Sequence, residues 1–146
     1  MENSKDNQQV VRRFFDAFNL KDEKIMDEVI SSDYFDYGHQ PPGRGPSGAK
    51  DDYREFVGGF KDARFEIDDL IVADDRVVAR WTCSGTHTGD FIGIPATGKK
   101  VTVLGISMYR LRDGKIVETR NSADVLGMLV QLGAVSLPGM KAEKAA

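Results

Sequence analysis

The chain has 146 residues with 40% hydrophobic side chains, and 20 basic against 23 acidic groups leave a net charge of −3 and a pI near 5.4. Such a chain makes one globular domain; it lacks the basic surplus that gripping a phosphate backbone requires, and eight Phe, four Tyr and one Trp argue against disorder. The single cysteine, Cys83, excludes an intrachain disulfide and a multi-thiolate metal site.

The start, MENSKDNQQ, is polar and acidic without the apolar core of a signal peptide, and no later stretch is apolar enough to span a membrane. A cytoplasmic protein is therefore expected, with a flexible start over 1–6, one domain over 7–133 and a tail over 134–146. Val10, Val11, Phe14, Phe15 and Phe18 recur at helical spacing and predict a first helix from Gln8 to Phe18, capped by Ser4 or Asp6. A shorter helix is expected over Glu23–Ile30, where Ile25, Met26, Val29 and Ile30 share a face. The Pro- and Gly-dense segment Tyr34–Ala49 reads as a long loop that forms a lid or rim. A third helix follows from about Ala49 to Phe60, with Tyr53, Phe56, Val57 and Phe60 on one side.

After Lys61 the period changes to two. Strands are expected around Phe65–Val72, over Val77–Ser84 beyond an Asp74-Asp75 turn, over Val101–Leu111, and from Lys115 to about Asn121 beyond the Asp113-Gly114 hairpin signal. A last helix over Leu126–Leu132 is stopped by Gly133. Helices followed by hairpin-linked strands predict an α+β fold, with the helices packed on one face of a curved antiparallel sheet. Both faces of the strands carry apolar residues, so a homodimer through the face left bare is expected.

A two-residue Asp113-Gly114 hairpin pairs Tyr109 with Glu118 and Ser107 with Arg120, with Ser122 continuing that face and Asp124 close behind it. Such a Ser, Tyr, Glu and Arg cluster suits a polar patch in a pocket, and equally a solvated cross-strand charge ladder. Asp124 stands where strand gives way to helix, a position favouring a carboxylate for structural reasons alone. His39 lies in the Pro/Gly loop and His87 in Gly85-Thr86-His87-Thr88-Gly89; neither has a second His or Cys at metal-ligand spacing, so no metal is expected. Both read as loop histidines, and Trp81 reads more readily as core than as a ligand stack.

The stretch WTCSGTHTGDFIGIPATGK (Trp81–Lys99) and the following VTVLGISMYRLRDGKIVETRNSADVLGMLVQLG resemble the SnoaL-like polyketide (ester) cyclase family of the nuclear-transport-factor-like superfamily. The most specific pieces are Gly85-Thr86-His87 with Gly89, Pro95 with Thr97-Gly98-Lys99, Asp113-Gly114-Lys115-Ile116-Val117-Glu118, and Asp124 with Gly127 and Gln131-Leu132-Gly133. The resemblance implies a cone-shaped barrel of curved antiparallel sheet wrapped around about three N-terminal helices, with one apolar pocket at its wide end, and ring closure by intramolecular aldol condensation without metal or cofactor. It matches the acid/base carboxylate to Asp124 and places His39 near the cavity. The chain departs from the family at Arg120, where relatives often carry tryptophan; a guanidinium inside the cavity would need a carboxylate partner, from Glu118, Asp124 or an acidic substrate.

The expected activity is thus cofactor-independent acid/base cyclisation or isomerisation of a small carbonyl compound. Asp124 and His39 would be the catalytic pair, with Arg120, Ser107, Tyr109, Glu118, Trp81 and His87 around the substrate. The alternatives are an epoxide or ester hydrolase on the same scaffold, using Glu118, Arg120 and Asp124, and a non-catalytic small-ligand-binding dimer. Neither nucleic acid nor membrane is an expected partner.

Overall fold

In the computed structural model, which describes residues 4–139, the first apolar stripe folds as helix α1 (Ser4–Asn19). The outermost parts of the two expected terminal tails, residues 1–3 and 140–146, lie outside the described residues. Val11 and Phe15, four apart on one helix face, are both buried. Asn19 docks the end of α1 on the sheet: its side-chain amide donates to the Phe65 carbonyl (2.9 Å), and its oxygen accepts from the Phe65 N–H (2.8 Å). Helix α2 (Ile25–Val29) is shorter than expected because Ile30 already opens a strand, β1 (Ile30–Asp36). Sequence pattern hides this strand: its inward positions include Asp36 as well as Tyr34, while Phe35 between them points out, so no apolar alternation marks it. A two-residue strand, β2 (Gly43–Arg44), pairs with β1, and helix α3 (Gly45–Gly59) starts directly after it with Pro46 in its first turn. The expected long loop over Tyr34–Ala49 is thus reduced to its middle.

Strands β3 (Arg64–Ala73), β4 (Arg76–Thr86), β5 (Lys100–Arg112) and β6 (Lys115–Ala123) follow as antiparallel neighbours, and a short helix, α4 (Val125–Gln131), packs on β5. The sheet runs β2-β1-β6-β5-β4-β3. β1 lies parallel to β6, so the sheet is mixed rather than wholly antiparallel as expected; the chain leaves β1 through α3 and re-enters at the far edge, at β3. The curved, unclosed sheet around its helices is the α+β cone that the resemblance implies. No helix among the described residues is long and apolar enough to cross a membrane.

One register slip decides what faces into the cone. The β5–β6 hairpin turns through Asp113 (φ 53°) and Gly114 (φ 75°) and pairs Arg112 with Lys115 and Leu111 with Ile116, as a two-residue turn dictates. Between Leu111 and Arg110 the ladder slips: Ile116 and Val117 are both buried, and Arg110 then pairs with Glu118, Tyr109 with Thr119 and Ser107 with Asn121. The expected pairing of Tyr109 with Glu118 and Ser107 with Arg120 is corrected by that bulge. Since side chains alternate, one residue of slip exchanges the faces, sending Glu118 and Arg120 outward and Thr119 and Asn121 inward.

Candidate active site

Between α1, α3 and the concave face of the sheet lies a cavity of about 510 Å³. One wall is aromatic. Phe14, Phe15 and Phe18 of α1, Phe56 of α3 and Phe65 of β3 meet mostly edge to face or tilted, with Phe18 and Phe65 centroids 5.1 Å apart. The sheet supplies the polar wall. Asp36 is the register partner of Thr119, Thr119 pairs with Tyr109 and Asn121 with Ser107, so β1, β6 and β5 lay a contiguous polar strip along the cone.

At the cavity rim the strip meets α3 through His39. Its Nδ1 is 2.8 Å from Asp36 Oδ2 and its Nε2 3.0 Å from Asp52 Oδ1. Asp36 is 2% exposed at its side chain and also accepts the Gly38 N–H at 2.7 Å. Two carboxyl groups facing both nitrogens of one ring require a shared proton. Either an imidazolium sits between two carboxylates, or a neutral ring donates to Asp36 and accepts from a protonated Asp52. Burial pushes the Asp52 carboxyl up; His39 opposes this, Asp36 adds to it, and the balance lies at about 7. Asp36, His39 and Asp52 also place ligand atoms within 4.8 Å of one another, which makes them the described residues able to hold a cation. The expectation against a metal searched for a second His or Cys and so overlooked the two carboxylates.

Three other polar groups lining the cavity are poor nucleophiles. The phenols of Tyr34 and Tyr109 are pushed up by burial and stay protonated. Cys83, on the cavity wall, is likewise pushed up by burial to about 12 and stays a thiol. The Trp81 indole N–H donates to Ser107 Oγ at 2.9 Å.

Of the residues singled out from the sequence, His39, Ser107, Tyr109 and Trp81 line this cavity. Glu118 and Arg120 lie on the outer face. Glu118 sits between Arg110 (3.0 Å) and Arg120 (3.2 Å), and the Arg120 guanidinium stacks 3.8 Å from the Tyr37 ring centroid, so among the described residues no guanidinium enters the cavity and no acidic substrate is needed to balance one. Asp124 is exposed. Its carboxylate caps α4, accepting the Gly127 N–H at 2.8 Å, and it borders an outer groove instead of the cavity. Gly127 is glycine for the same reason, as a Cβ there would run into that carboxylate. Asp124→Ala should therefore cost about 1 kcal/mol, lowering the melting temperature by ~2–4 °C in calorimetry, with ligand binding in the cavity unchanged.

His87 is not a surface loop histidine but fully buried. Its ring stacks on Phe60 and its Nδ1 meets Thr97 Oγ1 at 3.0 Å, while its backbone bonds Lys99 and Gly98. It thereby closes the loop that brings Phe91 and Ile92 to the cavity, without lining the cavity itself. Sequence reading passed over Asp36, Asp52, Thr119 and Asn121. Asp52 did leave a signal, an acidic residue three after Ala49 and four before Phe56, on the side of α3 that lines the cavity.

Residues 8–132 match the family model described as SnoaL-like polyketide cyclase. The chain is 31% identical over 128 residues to "Aklanonic acid methyl ester cyclase DnrD" of Streptomyces peucetius, covering 85% of this chain and 88% of that one. It is 29% identical to "Nogalonic acid methyl ester cyclase" of Streptomyces nogalater, covering 80% of this chain and 90% of that one. Among solved structures, TsrD from Streptomyces laurentii superposes with a TM-score of 0.86 at 30% identity, covering 92% of this chain and 100% of that one.

Proposed function

The chain belongs to the SnoaL-like polyketide cyclase family, and from that premise we propose that it closes a ring in a polyketide-derived keto ester by intramolecular aldol chemistry, with Asp52 and His39 as its acid/base pair. The observation that carries this reading is the His39 ring held between Asp36 and Asp52 at the rim of an aromatic-walled cavity. Asp36, nearly inaccessible, orients the ring and fixes its Nδ1 as a donor. The deprotonated Asp52–His39 pair takes a proton from a carbon beside a carbonyl, leaving an enolate. The enolate carbon attacks a second carbonyl of the same molecule, and the resulting alkoxide takes the proton back. No proton is gained or lost overall. The aromatic wall contributes by holding the flexible chain folded with its reacting carbons together.

The hydrolase alternative drew on Glu118, Arg120 and Asp124, none of which lines the cavity. The cyclase reading is tested by deuterium uptake at the α-carbon of methyl benzoylacetate, followed by NMR at early times. Faster exchange with protein than in buffer is expected; binding of this keto ester without any acceleration would sink the acid/base role.

The same proposal includes a second copy of the chain against the outer face of the sheet. There Leu104, Ile106 and Ile71 are 58%, 51% and 63% exposed, an apolar surface a lone chain leaves in water. Sedimentation should show a dimer at micromolar concentration that Ile106→Glu converts to monomer; a monomeric wild type would refute it.

A further inference from the structure

We propose that the Thr119 hydroxyl is a substrate-binding group that donates to a carbonyl oxygen of an aromatic ketone or keto ester, a step that rests on the acid/base reading above and specifies how the substrate lies. Thr119 is 2% exposed and lines the cavity, yet its Oγ1 has no hydrogen-bond partner among the described residues. The Tyr34 hydroxyl stands alongside, near enough to be stabilised by it, but outside hydrogen-bonding geometry. A buried hydroxyl left unpaired costs folding free energy, so it persists where something supplies its partner or where it serves a function.

Two of the neighbouring polar groups are already engaged. Ser107 accepts from Trp81, and Asp36 accepts from Gly38 and contacts His39. Thr119 is the register partner of Asp36 on the adjacent parallel strand, so its hydroxyl stands one strand from the carboxylate that orients His39. An oxygen held by Thr119 leaves the rest of a flat ligand against Phe14 and Phe18 on the facing wall. A hydroxyl donor at the oxygen is also what an enolate needs, since charge grows there as the α-proton leaves.

The test is equilibrium dialysis with 2-acetylnaphthalene and 2-ethylnaphthalene, two probes of similar shape that differ by a carbonyl oxygen. Wild type should bind the ketone about tenfold more tightly than the hydrocarbon. Thr119→Val should erase that margin while leaving hydrocarbon binding and the melting temperature undiminished, and Thr119→Ser should preserve the margin. The proposal is overturned if Thr119→Val keeps the margin, or if it weakens both probes together with the melting temperature, which would mark the hydroxyl as part of the fold. Because dialysis needs no turnover, this result stands apart from deuterium exchange into methyl benzoylacetate: either can fail while the other holds.

Discussion

Asp52→Asn is expected to slow α-proton exchange and ring closure by at least about 100-fold while leaving 2-acetylnaphthalene affinity within about threefold, because general acid–base transfer is typically worth 10²–10⁴ in rate and the amide keeps the size of the carboxyl group. Asparagine cannot take up a proton from carbon or return one to the alkoxide. The pH profile gives a second readout. With its pKa lifted to about 7, chiefly by burial, Asp52 is the competent base only once ionised, so wild-type kcat/KM should rise to a plateau above about pH 7, and the asparagine variant should lose that step. An unchanged rate and profile in the variant would remove Asp52 from the mechanism.

The same group makes a prediction about stability with a definite sign. A carboxyl raised from its ordinary 3.8 to about 7 holds its proton in the folded state where the unfolded chain has released it. Stability therefore falls as pH rises between about 4 and about 7 and is level beyond. Asp52→Asn removes that slope, so the inactive variant should melt above wild type at pH 8 and close to it near pH 4. A side chain kept for its chemistry at a cost to the fold has this signature.

Gly105→Val should damage the fold severely, lowering stability by about 3 kcal/mol and the melting temperature by roughly 6–12 °C. Gly105 pairs with Trp81 across β4 and β5, and the six-membered ring of that indole occupies the space a Cβ would need. The backbone cannot retreat without breaking the ladder, so the indole must move and give up its hydrogen bond to Ser107. Replacing the indole at the same time should relieve the clash: Gly105→Ala with Trp81→Leu is expected to be less destabilised than the sum of the two single changes. If Gly105→Val melts within 2 °C of wild type in calorimetry (about 1 kcal/mol or less), the indole does not need that space.

Helix α1 was legible because Val11 and Phe15, together with Phe14 and Phe18, repeat at helical spacing whatever packs on them. The Asp113-Gly114 hairpin was legible because two left-handed residues suit few other turns. β1 was not, since its interior carries an acid where a strand pattern expects an apolar residue. Asp124 illustrates the opposite case. Its place in the motif made it conspicuous, yet a carboxylate at a strand-to-helix junction serves the helix end first, and here its oxygen is taken by Gly127.

By itself, the sequence determined the local elements other than β1 and β2, the aromatic stock of the cavity and the apolar outer row of β5, because each depends on periodicity within one segment. Tertiary structure decided the site. A bulge at Val117 exchanged Glu118 and Arg120 for Thr119 and Asn121 on the inner face, and no local pattern announces a one-residue slip. Asp36 from the end of β1, His39 from the loop and Asp52 from α3 became one proton-sharing group only when the chain folded back on itself. Periodicity shows which way a side chain points along its own element; which residues meet across elements depends on register and packing, and these are properties of the folded whole.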